Sequence, residues 1–483
     1  MPVQTLKQDL WERTERCLPE AYLALALVLT LLLCWMTPPF FAPDEANHAD
    51  REISLGHGHL IEKPSPDGAG NDIDDGMAQV SDAMDNIRME WERHAGYFLD
   101  RSYGPITDEQ QLHQASGRWS GRTIFEEYEN TAVYPPPLYL PAIAGWRTGE
   151  AAGWTIFASL RLARLLCALC SVLLGWIALR FCVGIRWQLL AVLLLPTVLY
   201  LNATCCQDAV VPGLAALAVA MLSRSLAGRR DFIQAELTVA AVSVGLVALA
   251  RPPYAVMALM LFLPATELCS SWRKWIAPSV AFVTISSLTA MWWHVVSWLG
   301  LATNDLGRPD EQRVFLQEHP FVAALAILRG TAYAGYDFLH RGVYVVGLND
   351  LLPHHGAAAV LTLCLLTVVV AADGPVVESW RGRVLLALSV IGPLLGISLA
   401  EYLIWTPPGG MTVYGVMPRY WFAAMPLGIL LLQSCLPRRD HWLAVMPPKI
   451  VMLGGMVMAM VACTRRGWCR TRSIAKECGM CYV

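Results

Sequence analysis

Apolar runs of membrane-crossing length recur along this chain from residue 20 to residue 464. A helix needs roughly 20 apolar residues to span the hydrocarbon core. A chain with so many such runs has few options besides a polytopic membrane protein. Composition agrees: 55% of the 483 residues are hydrophobic and 16% are charged, against about 25% charged in a typical soluble domain. Eleven spans are expected in an all-α fold: 20–37, 157–179, 188–203, 209–223, 233–250, 254–270, 276–298, 355–372, 384–402, 421–436 and 443–463. The first run lacks a small-x-small cleavage site and is followed by more spans, so it reads as a span rather than a removable signal.

The net charge is only -3, but its sign is unevenly spread. Segment 39–153 is acidic, whereas "SRSLAGRR" and "SSWRKW" are basic. That argues against nucleic acid as a partner and reads as a topology code. Arg180, Arg186, Arg224, Arg229, Arg230, Arg273, Lys274, Arg381, Arg383, Arg438 and Arg439 all fall on one side if the N-terminus is cytoplasmic. The expected organisation is a cytoplasmic segment 1–19, a membrane module 20–464 and a basic tail 465–483. Segments 38–156, 201–208, 299–354 and 403–420 then lie outside. The tail "TRRGWCRTRSIAK" disagrees, since eleven spans put its five basic residues outside. Either the last run does not cross or one span is miscounted. The Gly- and Asp-rich stretch 64–86 is expected to be mobile. The fourteen cysteines are scattered, many in apolar runs where they act as small hydrophobes. The C-x-x-C of Cys478 and Cys481 has no second pair to complete a zinc site.

Residues 38–56, "PPFFAPDEANHADREISLG", crowd Asp44, Glu45, His48, Asp50, Arg51 and Glu52 at the border of the first span. Ionisable groups there are costly unless solvated, paired or used. The prolines stop the helix. If the following segment is extended, neighbouring carboxylates point to opposite sides, so one faces a site while the other braces the loop. If it is helical, Asp44, His48 and Arg51 share one face. The competing reading is a capping cluster, with Asp44 as cap and Arg51 in a structural salt bridge. Arg161 and Arg164, early in the second span, are placed to reach back toward the headgroups or the pocket. No Walker loop, H-x-x-x-H zinc signature or G-x-S-x-G elbow occurs. His294 reads as a structural histidine. Adjacent His354 and His355 are poor evidence for a metal, and Asp305 reads as a turn residue.

Four elements stand in order: "APDEANHADREISLGHG", "YPPPLYLPAIAGW", "YLNATCCQDAVVPGLAAL" and "YGVMPRYWFAAMPLGILL". The set resembles the bacterial multi-pass membrane proteins of the DUF2142 family. It carries that family's P-D-E-x-x-H-x-x-R pattern in Pro43, Asp44, Glu45, His48 and Arg51. P-P-L-Y is Pro136 to Tyr139, and G-x-x-x-R-Y is Gly415, Arg419 and Tyr420. Asp208 matches a recurrent Asp in the middle turn. The likeness extends from about 20 to 440. More broadly the chain looks like the GT-C superfamily of integral membrane glycosyltransferases, in which an acidic residue sits in the first outer loop.

That resemblance implies a GT-C-like fold in the bacterial cytoplasmic (inner) membrane, with the site facing outward. It implies catalytic carboxylates in Asp44 and Glu45, acting as general base or holding a divalent cation, Mg or Mn. It implies a substrate-binding set of His48, Arg51, Tyr134, Tyr139, Asp208, Arg419 and Tyr420. Arginine grips phosphate through its fixed fork of donors. Alternatives stay open for several: Arg419 as a snorkelling side chain, Tyr134 and Tyr139 as wall residues or sugar-stacking ones, and Asp208 as a pocket carboxylate or a helix cap. The expected function is transfer of a sugar from a polyprenyl-phosphate donor to an envelope glycan, lipid or protein acceptor, with membrane lipid as surroundings. The competing functions are a transporter or flippase of glycan precursors, and a non-catalytic component of a polysaccharide assembly complex. Transporters often show paired repeats with broken helices, and no such repeat is visible.

Overall fold

The computed structural model describes residues 2–66, 68–84, 117–301, 308–342 and 374–435, with residues 2–14, 340 and 341 by backbone alone. Within these the chain is a helical, multi-span membrane protein. Its principal helices are α1 (Pro2–Met36), α2 (Glu45–Gly56), α3 (Leu140–Ala151), α4 (Ile156–Phe181), α5 (Val211–Ala227), α6 (Gln234–Ala250), α7 (Arg273–Trp298), α8 (Pro320–Asp337), α9 (Trp380–Ile404) and α10 (Met425–Cys435). A small antiparallel sheet of order β1-β2-β3 joins Lys63–Pro64, Ala69–Asp74 and Thr123–Glu127.

The count of eleven membrane helices is wrong. Among the described residues five helical segments are long and apolar enough to cross a membrane: Glu15–Met36, Ile156–Phe181, Gln207–Ala227, Arg273–Trp298 and Trp380–Ile404. Proline explains much of the difference. The run 188–203 divides into helices Arg186–Leu193 and Pro196–Asn202, because Pro196 starts a new helix after an extended Leu195. Eight helical residues rise about 12 Å, well short of a roughly 30 Å hydrocarbon core. The run 254–270 becomes a 3-10 helix, Pro252–Phe262, then a single turn, Leu263–Glu267, each with proline at its start. The runs 233–250 and 421–436 shorten to α6 and α10, of 17 and 11 residues. Runs 355–372 and 443–463 lie outside the described residues.

Burial bears on the run 188–203 as well. Every residue from Trp187 to Ser223 is buried. The apolar side chains of this stretch face protein rather than lipid, and hydropathy does not distinguish the two. The stretch runs from the far end of α4, where Arg186 donates to the Leu179 and Cys182 carbonyls. Midway it passes the exit of α1, where the Cys34 thiol meets the Ala203 carbonyl, and it returns to the far end of α4, where the Ser223 hydroxyl accepts from the Val183 N–H.

Small residues set how closely the helices approach. In α4, Ser159, Ala163, Cys167, Ser171 and Gly175 recur every four residues and are buried or at a close contact, the stripe by which membrane helices pack. Against it lies α3, where a Cβ on Gly145 would fall 2.4 Å from the Ala163 Cα. α5, rich in Ala, is buried along nearly its whole length and forms the centre of the bundle.

The stretch 64–86 corrects a second expectation. Residues 69–74 form the central strand and 75–84 are helical, with Ile73, Met77 and Val80 fully buried. The Asp74 carboxylate accepts from the backbone N–H groups of Gly76, Ser120 and Gly121. Its aspartates are loop ties, which a composition rule does not recognise.

Candidate functional site

α1 ends at Met36, and the proline-rich link 37–44 turns through two left-handed residues, Phe40 (φ 59°) and Asp44 (φ 57°). Helix α2 begins at Glu45. Asp44 occupies its N-cap position, yet its side chain makes no capping bond. A cap is worth about 1 kcal/mol, so the carboxylate forgoes a local partner. It accepts instead from the Arg419 guanidinium, 375 residues away.

Glu45 is held in the opposite sense. It is fully buried, takes a two-pronged contact from Arg164 and accepts from the Cys205 N–H at 3.2 Å. Arg164 also donates to the Thr37 and Pro38 carbonyls at 2.7 and 2.9 Å. One residue thus fixes the exit of α1, the start of α2 and α4. Two adjacent carboxylates have separate partners and do not converge. Among the described residues no three His, Cys, Asp or Glu side chains group as a metal cage.

Three chain turns meet at Asp44. Arg419 sits in the 3-10 turn Pro418–Trp421, Asp208 in the turn Gln207–Ala209, and Arg251 just past α6. Asp208 accepts a bidentate pair from Arg251 at 2.6 and 3.1 Å, and its Oδ2, one of the two oxygens so engaged, also lies 3.3 Å from Arg419 Nε. The row therefore reads Asp44, Arg419, Asp208, Arg251, with two charges of each sign. Arg251 rests on the Tyr420 ring, 3.8 Å from its centroid, and Tyr254 donates to the Tyr420 carbonyl at 2.7 Å. These contacts position the turn that carries Arg419. Asp208 and Arg251 are buried, whereas the Asp44 side chain keeps 40% exposure. Burial raises the Asp44 pKa, but the Arg419 charge and hydrogen bond outweigh it and hold the carboxyl below its ordinary value.

The remaining members of the first element have protein partners. Arg51 is fully buried; it pairs with Glu62 and donates to the carbonyls of Leu60 and Tyr134. It stitches α2 to its neighbouring loops. His48 lies 2.6 Å from the Tyr139 hydroxyl and stacks on Tyr134. Burial pushes its imidazole down to about 4 despite the nearby Asp44 charge, so it is neutral at pH 7. Glu52 accepts from Trp146 Nε1 at 2.8 Å, and burial raises the Asp50 and Glu52 carboxyls well above the ordinary range. Glu45, His48, Asp50, Arg51 and Glu52 are thus buried, and Asp44 differs from them in keeping solvent exposure beside its arginine.

Tyr134 lines a hollow of about 100 Å³ together with Arg251, Trp293, Glu401 and Trp405. Two of these, Arg251 and Glu401, were not singled out from the sequence. Arg251 carried a signal, as a lone cation between the apolar runs 233–250 and 254–270. Glu401 carried another, as the acid within the apolar run 384–402. Gly415 of the third element now has a reason. Its φ is +86°, and a Cβ there would lie 2.4 Å from Glu401 Oε2. Arg161 lies over the Trp35 ring at 4.6 Å, and His294 is exposed on α7. Asp305, His354, His355, Arg438, Arg439, the basic tail and the C-x-x-C pair lie outside the described residues.

Neither the search of curated proteins nor that of solved structures returns a match. The family model described as a predicted membrane protein (DUF2142) matches residues 27–427, which take in Asp44, Asp208, Arg251, Glu401 and Arg419. The chain therefore belongs to the DUF2142 family of predicted membrane proteins.

Proposed function

We propose that the chain is a membrane glycosyltransferase. It moves a sugar from a polyprenyl-phosphate donor to a glycan, lipid or protein acceptor on the extracytoplasmic side of the bacterial inner membrane. The observation that carries this reading is the Asp44–Arg419 contact: a partly exposed carboxylate held by an arginine beside the ends of several spans. A lipid-borne donor keeps its tail in the bilayer and offers its phosphate at that depth.

A donor phosphate oxygen competes with Asp44 for the Arg419 guanidinium. When phosphate takes the arginine, Asp44 loses the cation that lowers its pKa and becomes a stronger base. It then accepts the proton of the acceptor hydroxyl. The acceptor oxygen bonds to the anomeric carbon as the carbon–phosphate oxygen bond breaks. The electron pair leaves with the polyprenyl phosphate, whose charge Arg419 stabilises. Asp208 and Arg251 keep Arg419 oriented throughout. Arg51, by contrast, has its donors committed to protein acceptors, so the phosphate grip is assigned to Arg419.

The test is transfer by the purified full chain in lipid nanodiscs, using labelled polyprenyl-phosphate sugars. Wild type should turn over and Asp44→Asn should not, with only a small change in thermal stability. Equal turnover in the two proteins would reject the assignment, as would chemical labelling that places residues 44–52 in the cytoplasm.

A further inference from the structure

Glu401 sits near the end of α9, at the membrane border, with a carboxylate for which no hydrogen bond or ion pair is found among the described residues. An ionisable group in such a place is costly unless it is solvated, paired or used; the Arg251 and Arg419 charges act on this one without either guanidinium bonding to it. Its neighbourhood is built around it. The main chain at Gly415 lies against its Oε2, and Trp405 follows one helical turn later, where its N–H bonds to the Glu401 carbonyl at 2.9 Å. Glu401 shares the 100 Å³ hollow with Tyr134, Trp293, Trp405, Asn130 and Glu129. The Tyr134 and Trp293 rings meet edge to face at 6.4 Å, and the buried Trp293 indole N–H has no hydrogen-bond partner among the described residues.

Electrostatics restrict what this hollow accepts. The cation lining it, Arg251, is already neutralised by the bidentate Asp208. Two carboxylates, Glu129 and Glu401, remain. Phosphate is therefore disfavoured here, in contrast to the Asp44–Arg419 end. An alkyl chain would strand the carboxylates without partners. A neutral polyol ring satisfies both parts: its C–H face lies on aromatic surface, and its hydroxyls donate to carboxylate oxygens.

We propose that this hollow is a monosaccharide subsite, with Glu401 accepting hydrogen bonds from ring hydroxyls and Tyr134 and Trp405 forming its aromatic walls. It deepens the transferase reading by placing a sugar beside the Arg419 phosphate grip, and rests on that reading for its purpose. The shared chemistry is a neutral sugar ring, belonging either to the donor or to the acceptor.

The experiment is saturation-transfer NMR on the full chain in nanodiscs, with methyl glycosides of glucose, mannose, galactose, N-acetylglucosamine and arabinose. At least one should bind saturably, with transfer strongest to the protons of one ring face. Glu401→Gln should weaken it at least tenfold. Trp405→Leu should do the same, and answers the question if the first variant fails to insert. Displacement of the glycoside by the matching polyprenyl-phosphate sugar assigns the ring to the donor; simultaneous binding assigns it to the acceptor. No binding by any glycoside, or binding unchanged in both variants, overturns the subsite. Glycoside binding without any sugar transfer leaves the subsite standing and removes the transferase. Transfer with unaltered KM in both variants does the reverse.

Discussion

Two arginine–carboxylate pairs begin one residue apart at the head of α2 and serve opposite ends. Glu45 and Arg164 are 0% and 1% exposed, and Arg164 also donates to two main-chain carbonyls. Asp44 keeps 40% exposure, and its arginine is shared with Asp208. A pair sealed from water and saturated with donors cannot be opened without leaving a buried charge, so it fixes geometry. A pair that still meets solvent exchanges partners at small cost. The first is a brace and the second is a pair that a ligand can open. Residue type does not separate them; enclosure does.

The contrast breaks most sharply at Asp44. Asp44→Asn should lower sugar transfer by about 10² to 10⁴-fold, the range for loss of a general base, and shift the melting temperature in detergent only slightly. A large loss of stability would make Asp44 a second brace. Arg164→Leu should do the opposite, destabilising the protein by about 3–5 kcal/mol because Glu45 is left buried and unpaired. Thermal unfolding and the yield of inserted protein report it. Little loss would dissolve the distinction.

The next effect is in pH. His48 is held neutral with a folded pKa near 4, below the ordinary 6.5. As pH falls from 6.5 toward 4 the unfolded chain binds a proton that the folded chain does not. Stability therefore drops across that window, by at most about 3 kcal/mol. His48→Gln should flatten the slope in a melting-temperature profile. Asp44 has the reverse chemistry: its depressed carboxyl contributes stability above its unfolded value of 3.8, lost only as pH falls through the folded one. The smallest effect is expected of Arg419→Lys. It keeps the charge but loses the fork, raising the KM for the polyprenyl donor about tenfold, or roughly 1.4 kcal/mol. An unchanged KM would place the phosphate elsewhere.

Much of this arrangement was legible in the chain. The first span, the proline exit and the alternative of one carboxylate facing outward while its neighbour braces were all readable at residues 38–52. Arg51 was readable as a structural salt bridge as well as a phosphate clamp, and the fold gives it Glu62. The span count was not legible. Runs 188–203 and 254–270 are as apolar as lipid-facing helices, but Pro196 and Pro264 divide them and protein surrounds the first. Glu401 and Arg251 escaped because each is a lone charge in an apolar stretch, and their meeting depends on how α6 and α9 lie together.

The sequence by itself determined that the chain lives in a membrane, that α1 ends at the prolines, and that ionisable groups gather at that exit. These follow from transfer energies and backbone restrictions that act within a few residues. Only the tertiary structure decided which of two neighbouring carboxylates stays open. Asp44 and Glu45 have nearly the same chemistry, and the choice rests with Arg164, 119 residues along from Glu45, and Arg419, 375 residues along from Asp44. Such partners are brought into range only when the helices pack, because Coulomb attraction between an arginine and a carboxylate is decisive at contact and weak beyond it.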